Sequence, residues 1–176
     1  MISEEAIRAR VDELSVAISN DYAGRELLVI GILKGSWIFL ADLVRRLTVP
    51  VEIDFLTVSS YGASTRTSGV VKIVTDLKCP LDGRNVLLVE DILDSGLTMR
   101  YLLDNLRRRG PASLKICVLM DKPARRQAKV TADYVGFEVP DRFVVGYGAD
   151  AAGRYRNLPF VGYVEEAGPG GEDGAC

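Results

Sequence analysis

Apolar and polar positions alternate along this chain in two periods, and the two periods predict its elements. Ser3 followed by Glu4 and Glu5 marks a helix start. Ile7, Val11, Leu14 and Ile18 then fall on one helical face. Leu27–Leu33 is continuously apolar, as a strand covered on both faces should be. A second helix is predicted from Ser36 to Leu47, with Trp37 in its core face. Val51–Ser59 alternates in part and reads as a strand, and Val70–Asp76 reads as its hairpin partner. Between them Tyr61–Gly69 is polar, rich in Ser and Thr and flanked by Gly, which predicts a loop.

Asp82-Gly83 signals a turn. Val86–Val89 is a buried strand, and Thr98–Arg109 is a helix closed by Gly110-Pro111. Leu114–Met120 is another apolar strand, and Tyr134–Phe137, Phe143–Tyr147 and Phe160–Val164 are short late ones. Ala167–Cys176 is Gly-rich and is expected to be disordered. There is no internal repeat. Strands alternating with helices predict an α/β fold around a mostly parallel, twisted sheet. Ligands of such sheets gather outside the carboxyl ends of the strands. Leu33–Ser36, Glu90–Thr98 and Asp121–Arg126 are therefore expected to share one site.

Composition changes this picture little. The 176 residues are 48% hydrophobic and 26% charged, enough for one globular domain with a real core. The formal charge of −2 gives no footprint for DNA or a membrane surface. The apolar runs are too short to cross a membrane. Met1–Asn20 is charged and amphipathic, unlike a signal peptide. Three scattered cysteines form no CxxC pair, so free thiols in a reducing cytoplasm are the simplest expectation. Cys117, in a predicted buried strand, should be inert. Arg107–Arg109 sits where a helix dipole favours cations, so it is read as a helix end and not as a nucleic-acid patch. The absence of histidine has more weight. Any acid–base step near neutral pH must use Asp, Glu, Lys, Tyr or Cys.

The chemistry concentrates at two strand-to-helix junctions. In the first, Glu90 and Asp91 precede Asp94, Ser95, Gly96, Leu97 and Thr98. A helix N-terminus binds anions through its backbone N–H groups, hydroxyls add donors, and Gly96 permits close approach. Acids beside a phosphate make sense if they hold sugar hydroxyls or a magnesium ion, which prefers oxygen ligands. A capped helix with surface acids is the plainer reading. In the second junction Lys34 supplies charge, Gly35 permits close approach and Ser36 caps the helix. Two such cradles suit a substrate with phosphates at both ends, such as a ribose 5-phosphate 1-pyrophosphate. Neither is a P-loop.

Val-Glu-Asp-Ile-Leu-Asp-Ser-Gly-Leu-Thr over 89–98 resembles the signature of the type I phosphoribosyltransferases. Leu33-Lys-Gly-Ser36, Ser59-Ser-Tyr-Gly62, Leu119-Met-Asp-Lys-Pro123, Phe143-Val-Val-Gly-Tyr-Gly-Ala-Asp150 and Arg154-Tyr-Arg-Asn-Leu-Pro159 narrow the resemblance to the hypoxanthine–guanine phosphoribosyltransferases. The matches keep the family's order from about residue 27 to 164.

The resemblance implies a type I phosphoribosyltransferase fold over 1–166. It has a mobile hairpin lid at about 59–70 carrying Ser60 and Tyr61, and a hood built from the N-terminal segment and about 140–166. The tail is 167–176. It implies transfer of 5-phosphoribosyl from phosphoribosyl pyrophosphate to N9 of hypoxanthine or guanine, giving IMP or GMP, in a magnesium-dependent purine salvage enzyme. Glu90 and Asp91 would hold the ribose hydroxyls and metal, and Asp94 would be the general base. Asp94 through Thr98 would bind the 5-phosphate.

Lys34, Gly35 and Arg156 would bind pyrophosphate, with the Leu33–Lys34 peptide often cis in the family. Lys122 would donate to the purine O6, Phe143 would stack on the base, the Val144 backbone would read its edge, and Asp150 would hold a second magnesium. From composition alone Lys122 reads as a solvated loop lysine and Phe143 as core. Leu97 departs from the family, which often has a polar or basic residue there. The implied assembly is a homodimer or homotetramer. A xanthine-preferring or pyrimidine relative, or a non-catalytic nucleotide- or RNA-binding regulator, remains the alternative. The acidic isoelectric point near 5.3 weighs against RNA.

Overall fold

The structure, a computed structural model, describes residues 1–60 and 71–164. Tyr61 with the rest of the expected lid loop, and the whole expected tail, lie outside the described residues. The elements follow in the order α1 Glu4–Asp21, β1 Leu27–Leu33, α2 Trp37–Val44, β2 Val51–Ser60, β3 Val71–Thr75, β4 Asn85–Leu93, α3 Leu97–Arg107 and β5 Ser113–Asp121. A short 3-10 turn at Pro123–Arg125 precedes β6 Tyr134–Glu138, β7 Val144–Val145 and β8 Gly162–Tyr163.

The main sheet has the order β3-β2-β1-β4-β5-β6. β1 pairs in parallel with β2 and β4, and the parallel pairing continues through β5 to β6. Only β3 runs antiparallel, on β2, with a register shift at Thr57/Val58. The apolar strands divide by parity. Leu27 and Val29 of β1 pack with Leu87 and Val89 of β4 under α1 and α2. Leu28, Ile30 and Ile32 pack with Val86 and Leu88 under α3. Both faces being covered, continuous apolar runs were required of these strands. Each such fully buried side chain contributes roughly 1.5–3 kcal/mol of burial free energy.

α1 begins where Ser3 accepts a hydrogen bond from the Ala6 N–H at 3.3 Å. Its Arg10 reaches the outermost strand, donating to the carbonyls of Gly136 at 2.9 Å and Val135 at 2.8 Å. β7 and β8 form a separate two-stranded layer, tied to the N-terminus by an Ile2–Val161 bridge. Among the described residues no helix is long and apolar enough to cross a membrane.

Four expectations need correction. β4 does not stop at Val89 but runs on to Leu93, because Glu90, Ile92 and Leu93 find ladder partners in Val118, Met120 and Asp121. α2 ends at Val44, since Arg46 and Leu47 close back onto Leu43 and Val44 as tighter three-residue turns. Trp37 is not core: it is 49% exposed at the first position of α2. Ser36 makes no side-chain cap; its hydroxyl donates instead to the Ile32 carbonyl at 2.6 Å.

Gly136 lies in β6 alongside β5, and a Cβ there would sit 2.3 Å from the Leu119 carbonyl oxygen. That neighbour is backbone and cannot rotate away. Gly136→Ala should therefore destabilise the protein by ~1–3 kcal/mol, the usual range for overpacking. The check is thermal unfolding followed by circular dichroism, with a clear drop in Tm expected.

Candidate active site

The junction after β1 is built around close backbone approach. The Leu33–Lys34 peptide is cis. Gly35, directly after it, has space for no side chain, because a Cβ there would lie 1.9 Å from Asp91 Oδ2. Gly148, with φ of 105°, presses on the other side, and its own Cβ would lie 1.9 Å from the Gly35 carbonyl oxygen. Lys34 is exposed beside this contact. Three chain segments that are remote in sequence, at residues 35, 91 and 148, thus meet at one point.

β4 delivers the acids. Glu90 and Asp91 are adjacent strand residues, and both are only partly accessible. Burial pushes the Glu90 carboxyl well above the ordinary glutamate range, and the negative charge of Asp91 pushes it further. Two neighbouring carboxylates that repel in this way, with oxygen as the only donor atom, fit a hard cation. Among the described residues no cluster of three or more metal-type side chains exists. Mg²⁺ is a hard cation of this kind, which keeps several waters and shares substrate oxygens.

Beyond β4 the chain turns into α3 through Gly96, whose φ is 79°. Glu90, Asp94, Ser95, Gly96 and Thr98 line one small cleft over this turn. The first-turn N–H groups of α3 face the start of the helix, where an anion is favoured. Leu97 is the first helical residue, and its N–H donates to Ser95 Oγ at 3.4 Å. Asp94 is half-exposed: its Oδ1 is buried with no hydrogen-bond partner, while its Oδ2 lies 3.7 Å from Arg125 Nη1.

The third wall comes from the β5–β6 connection and the β7 layer. Lys122 is 4% exposed, against the solvated lysine that composition suggests. Its backbone N–H donates to the Leu93 carbonyl at 3.0 Å, and its ammonium to the Arg142 carbonyl at 2.9 Å. A buried ammonium needs such partners. The next residue, Phe143, is 57% exposed and so is not core, whereas Val144 is buried. Asp150 and Arg156 are engaged with each other at 2.6 Å. Asp150 also accepts from the Gly153 N–H at 2.7 Å, and Arg156 donates to the Gly148 carbonyl at 2.6 Å. Of the two expected lid residues, Ser60 ends β2 and Tyr61 lies outside the described residues.

The Phosphoribosyl transferase domain model matches residues 2–152. The chain belongs to the phosphoribosyltransferase family. The Bacillus subtilis hypoxanthine-guanine phosphoribosyltransferase is 51% identical over 167 residues, 95% of this chain and 93% of that one. The Haemophilus influenzae hypoxanthine phosphoribosyltransferase is 48% identical over 167 residues, 93% of each chain. A crystal structure of a Bacillus anthracis hypoxanthine-guanine phosphoribosyltransferase, with a HEPES molecule in its active site, superposes with a TM-score of 0.90. It is 50% identical and the match covers 94% of this chain and 97% of that one. This phosphoribosyltransferase therefore has the type I fold that its motifs implied, with a mostly parallel six-stranded sheet.

Two residues beside the site had no role of their own in the sequence reading: Arg125 fell only within the expected 121–126 stretch and Asp141 only within the expected hood. They lie beside Asp94 and Phe143, joined by a 3.2 Å ion pair. Charged residues in a polar loop are ordinarily solvated, so nothing singled them out within those stretches.

The Glu90 environment has a consequence for stability. Its folded pKa lies above its unfolded value, so folding favours the protonated form. That stabilising contribution is complete below the unfolded glutamate range and is lost as pH rises through the folded value. At pH 8, above the unfolded glutamate range, Glu90 thus opposes folding of the metal-free protein. Glu90→Gln should raise Tm at pH 8 without divalent cations and leave it nearly unchanged near pH 4, as read by differential scanning calorimetry.

Proposed function

We propose that this phosphoribosyltransferase transfers 5-phosphoribosyl from phosphoribosyl pyrophosphate to N9 of hypoxanthine or guanine, in purine salvage. The observation that carries this reading is Lys122. Its ammonium is buried and held by the carbonyl of Arg142, the residue immediately before the exposed Phe143. An ammonium has three N–H donors, and a 6-oxo group is a suitable acceptor for another of them. Phe143 would stack on the base, and the Val144 backbone would meet its edge.

The other residues take complementary parts. Asp94 to Thr98 would bind the 5-phosphate at the start of α3. Glu90 and Asp91 would hold the ribose hydroxyls and Mg²⁺, with Asp150 holding a second ion. Bound magnesium would supply positive charge to the leaving pyrophosphate. Lys34 and Arg156 add to that charge, and the Gly35 backbone approaches the phosphates. Reaching them requires Arg156 and Asp150 to loosen their own pair. Asp94 would accept the proton lost from the base, a role that falls to a carboxylate because the chain has no histidine. The 59–70 segment, with Ser60 and Tyr61, would shield the reacting centre from water, and the N-terminal segment with about 140–166 would form the hood.

The test is to incubate the protein with magnesium, phosphoribosyl pyrophosphate and, separately, hypoxanthine, guanine, xanthine, adenine and uracil. Nucleotide should form with hypoxanthine or guanine. Turnover with xanthine or uracil alone would replace the reading by one of a different acceptor, and no turnover at all would sink it. Asp94→Asn should lower turnover by ~10²-fold or more, the range for loss of a general base, with an unchanged melting curve.

We also propose a cytoplasmic location and a homodimer or homotetramer. Cys79 and Cys117 are free thiols, in keeping with a reducing compartment; cell fractionation checks it. Burial pushes the Cys117 thiol far up, so it stays inert there. Exposed Trp37, Ile53 and Phe55 supply apolar surface of the kind that subunits cover. Light scattering at micromolar concentration should give two or four times the chain mass, and Phe55→Glu should shift it toward one.

A further inference from the structure

Arg125 ends the 3-10 turn that follows Lys122. Its guanidinium reaches two acids from different parts of the fold. Nε is 3.2 Å from Asp141 Oδ1, and Nη1 is 3.7 Å from Asp94 Oδ2. Asp94 belongs to the turn after β4. Asp141 lies two residues before Phe143, and the residue between them, Arg142, gives its carbonyl to Lys122 at 2.9 Å. The loop from 122 to 125 therefore grips two consecutive residues, 141 and 142, immediately before the exposed Phe143 ring.

We propose that Arg125 is a positioning residue for the acceptor base: it sets the distance between the Phe143 platform and Asp94. The inference rests on the proposed roles of Phe143 and Asp94. Arg125 itself is about half exposed, with a side-chain accessibility of 54%, so neither pair alone adds much to folding. Its value lies in geometry. A planar guanidinium offers divergent donors that can hold two carboxylates at once, which a single ammonium does less well. The Asp141 pair does not depend on the charge of Asp94. When Asp94 takes the base proton and becomes neutral, Arg125 stays anchored on Asp141 and the platform stays in place.

The two substrates separate this role from a general structural one. Of the residues proposed to hold phosphoribosyl pyrophosphate Arg125 reaches only Asp94, at 3.7 Å, whereas its closer partner, Asp141 at 3.2 Å, stands in the segment that carries the base platform. Arg125→Gln should lower kcat/KM for the purine about tenfold, leave the KM for phosphoribosyl pyrophosphate within twofold, and leave the melting curve unchanged. Arg125→Lys should recover part of the loss. Asp141→Asn should reproduce it, and the double variant should be no worse than either single one, as members of one pair behave.

Equal weakening of both substrates would overturn the inference, as would multiplied losses in the double variant or wild-type kinetics in Arg125→Gln. A wild-type protein that turns over no 6-oxopurine would refute the proposed function instead, and is seen before any variant is made.

Discussion

The site depends on a contact from which side chains are excluded. The Gly35 backbone is wedged between the Asp91 carboxylate and Gly148, with no space for a Cβ on either glycine. That wedge brings together the ends of β1 and β4 and the segment after β7. A methyl group at Gly35 would have to displace the carboxylate of a strand residue whose neighbours, Glu90 and Ile92, are both paired with β5. Adding one at Gly148 would push against a carbonyl next to a cis peptide. Several of the charged groups proposed to face the substrates are hung from this junction: Lys34 on one side, Glu90 and Asp91 on the second, Asp150 and Arg156 on the third. A packed junction of this kind orients charged groups without using their own side chains as struts, which leaves those side chains for substrate.

Around that junction the polar groups hold each other while no substrate is present. Asp150 pairs with Arg156, Lys122 with the Arg142 carbonyl, and Asp94 with Arg125. For the buried Lys122 the pairing satisfies a charge that would otherwise be costly to shelter from water. Substrate binding then becomes an exchange of partners rather than the filling of an empty charged cavity. Glu90 is the exception. It is sheltered beside another carboxylate, and a cation is the partner that would relieve it.

The architecture was legible in the sequence wherever burial dictated a pattern. β1 was bounded correctly because a two-sided strand must be apolar throughout, and the capped, one-faced start of α1 was equally plain. Errors came where one local signal opposed a tertiary one. Glu90 and Asp91 look like loop residues, yet the ladder to β5 extends the strand through them. Trp37 looks like core, yet it opens α2 at the edge of the covered area. The motif residues were named because the resemblance fixed their positions in the chain. Arg125 and Asp141 were not, because their meeting depends on how the 122–125 turn packs on the segment before Phe143, and no periodicity encodes that.

The reach of Arg10 across β6 has an effect far from the active site. An outermost strand exposes backbone acceptors that can recruit a strand from another molecule, the route by which sheets join end to end and precipitate. With its guanidinium lodged on the Val135 and Gly136 carbonyls, α1 covers part of this border strand. Crowding of β6 against the Leu119 carbonyl keeps the strand close to its neighbour as well. This border of the sheet is thus less open to recruitment, through one arginine of α1.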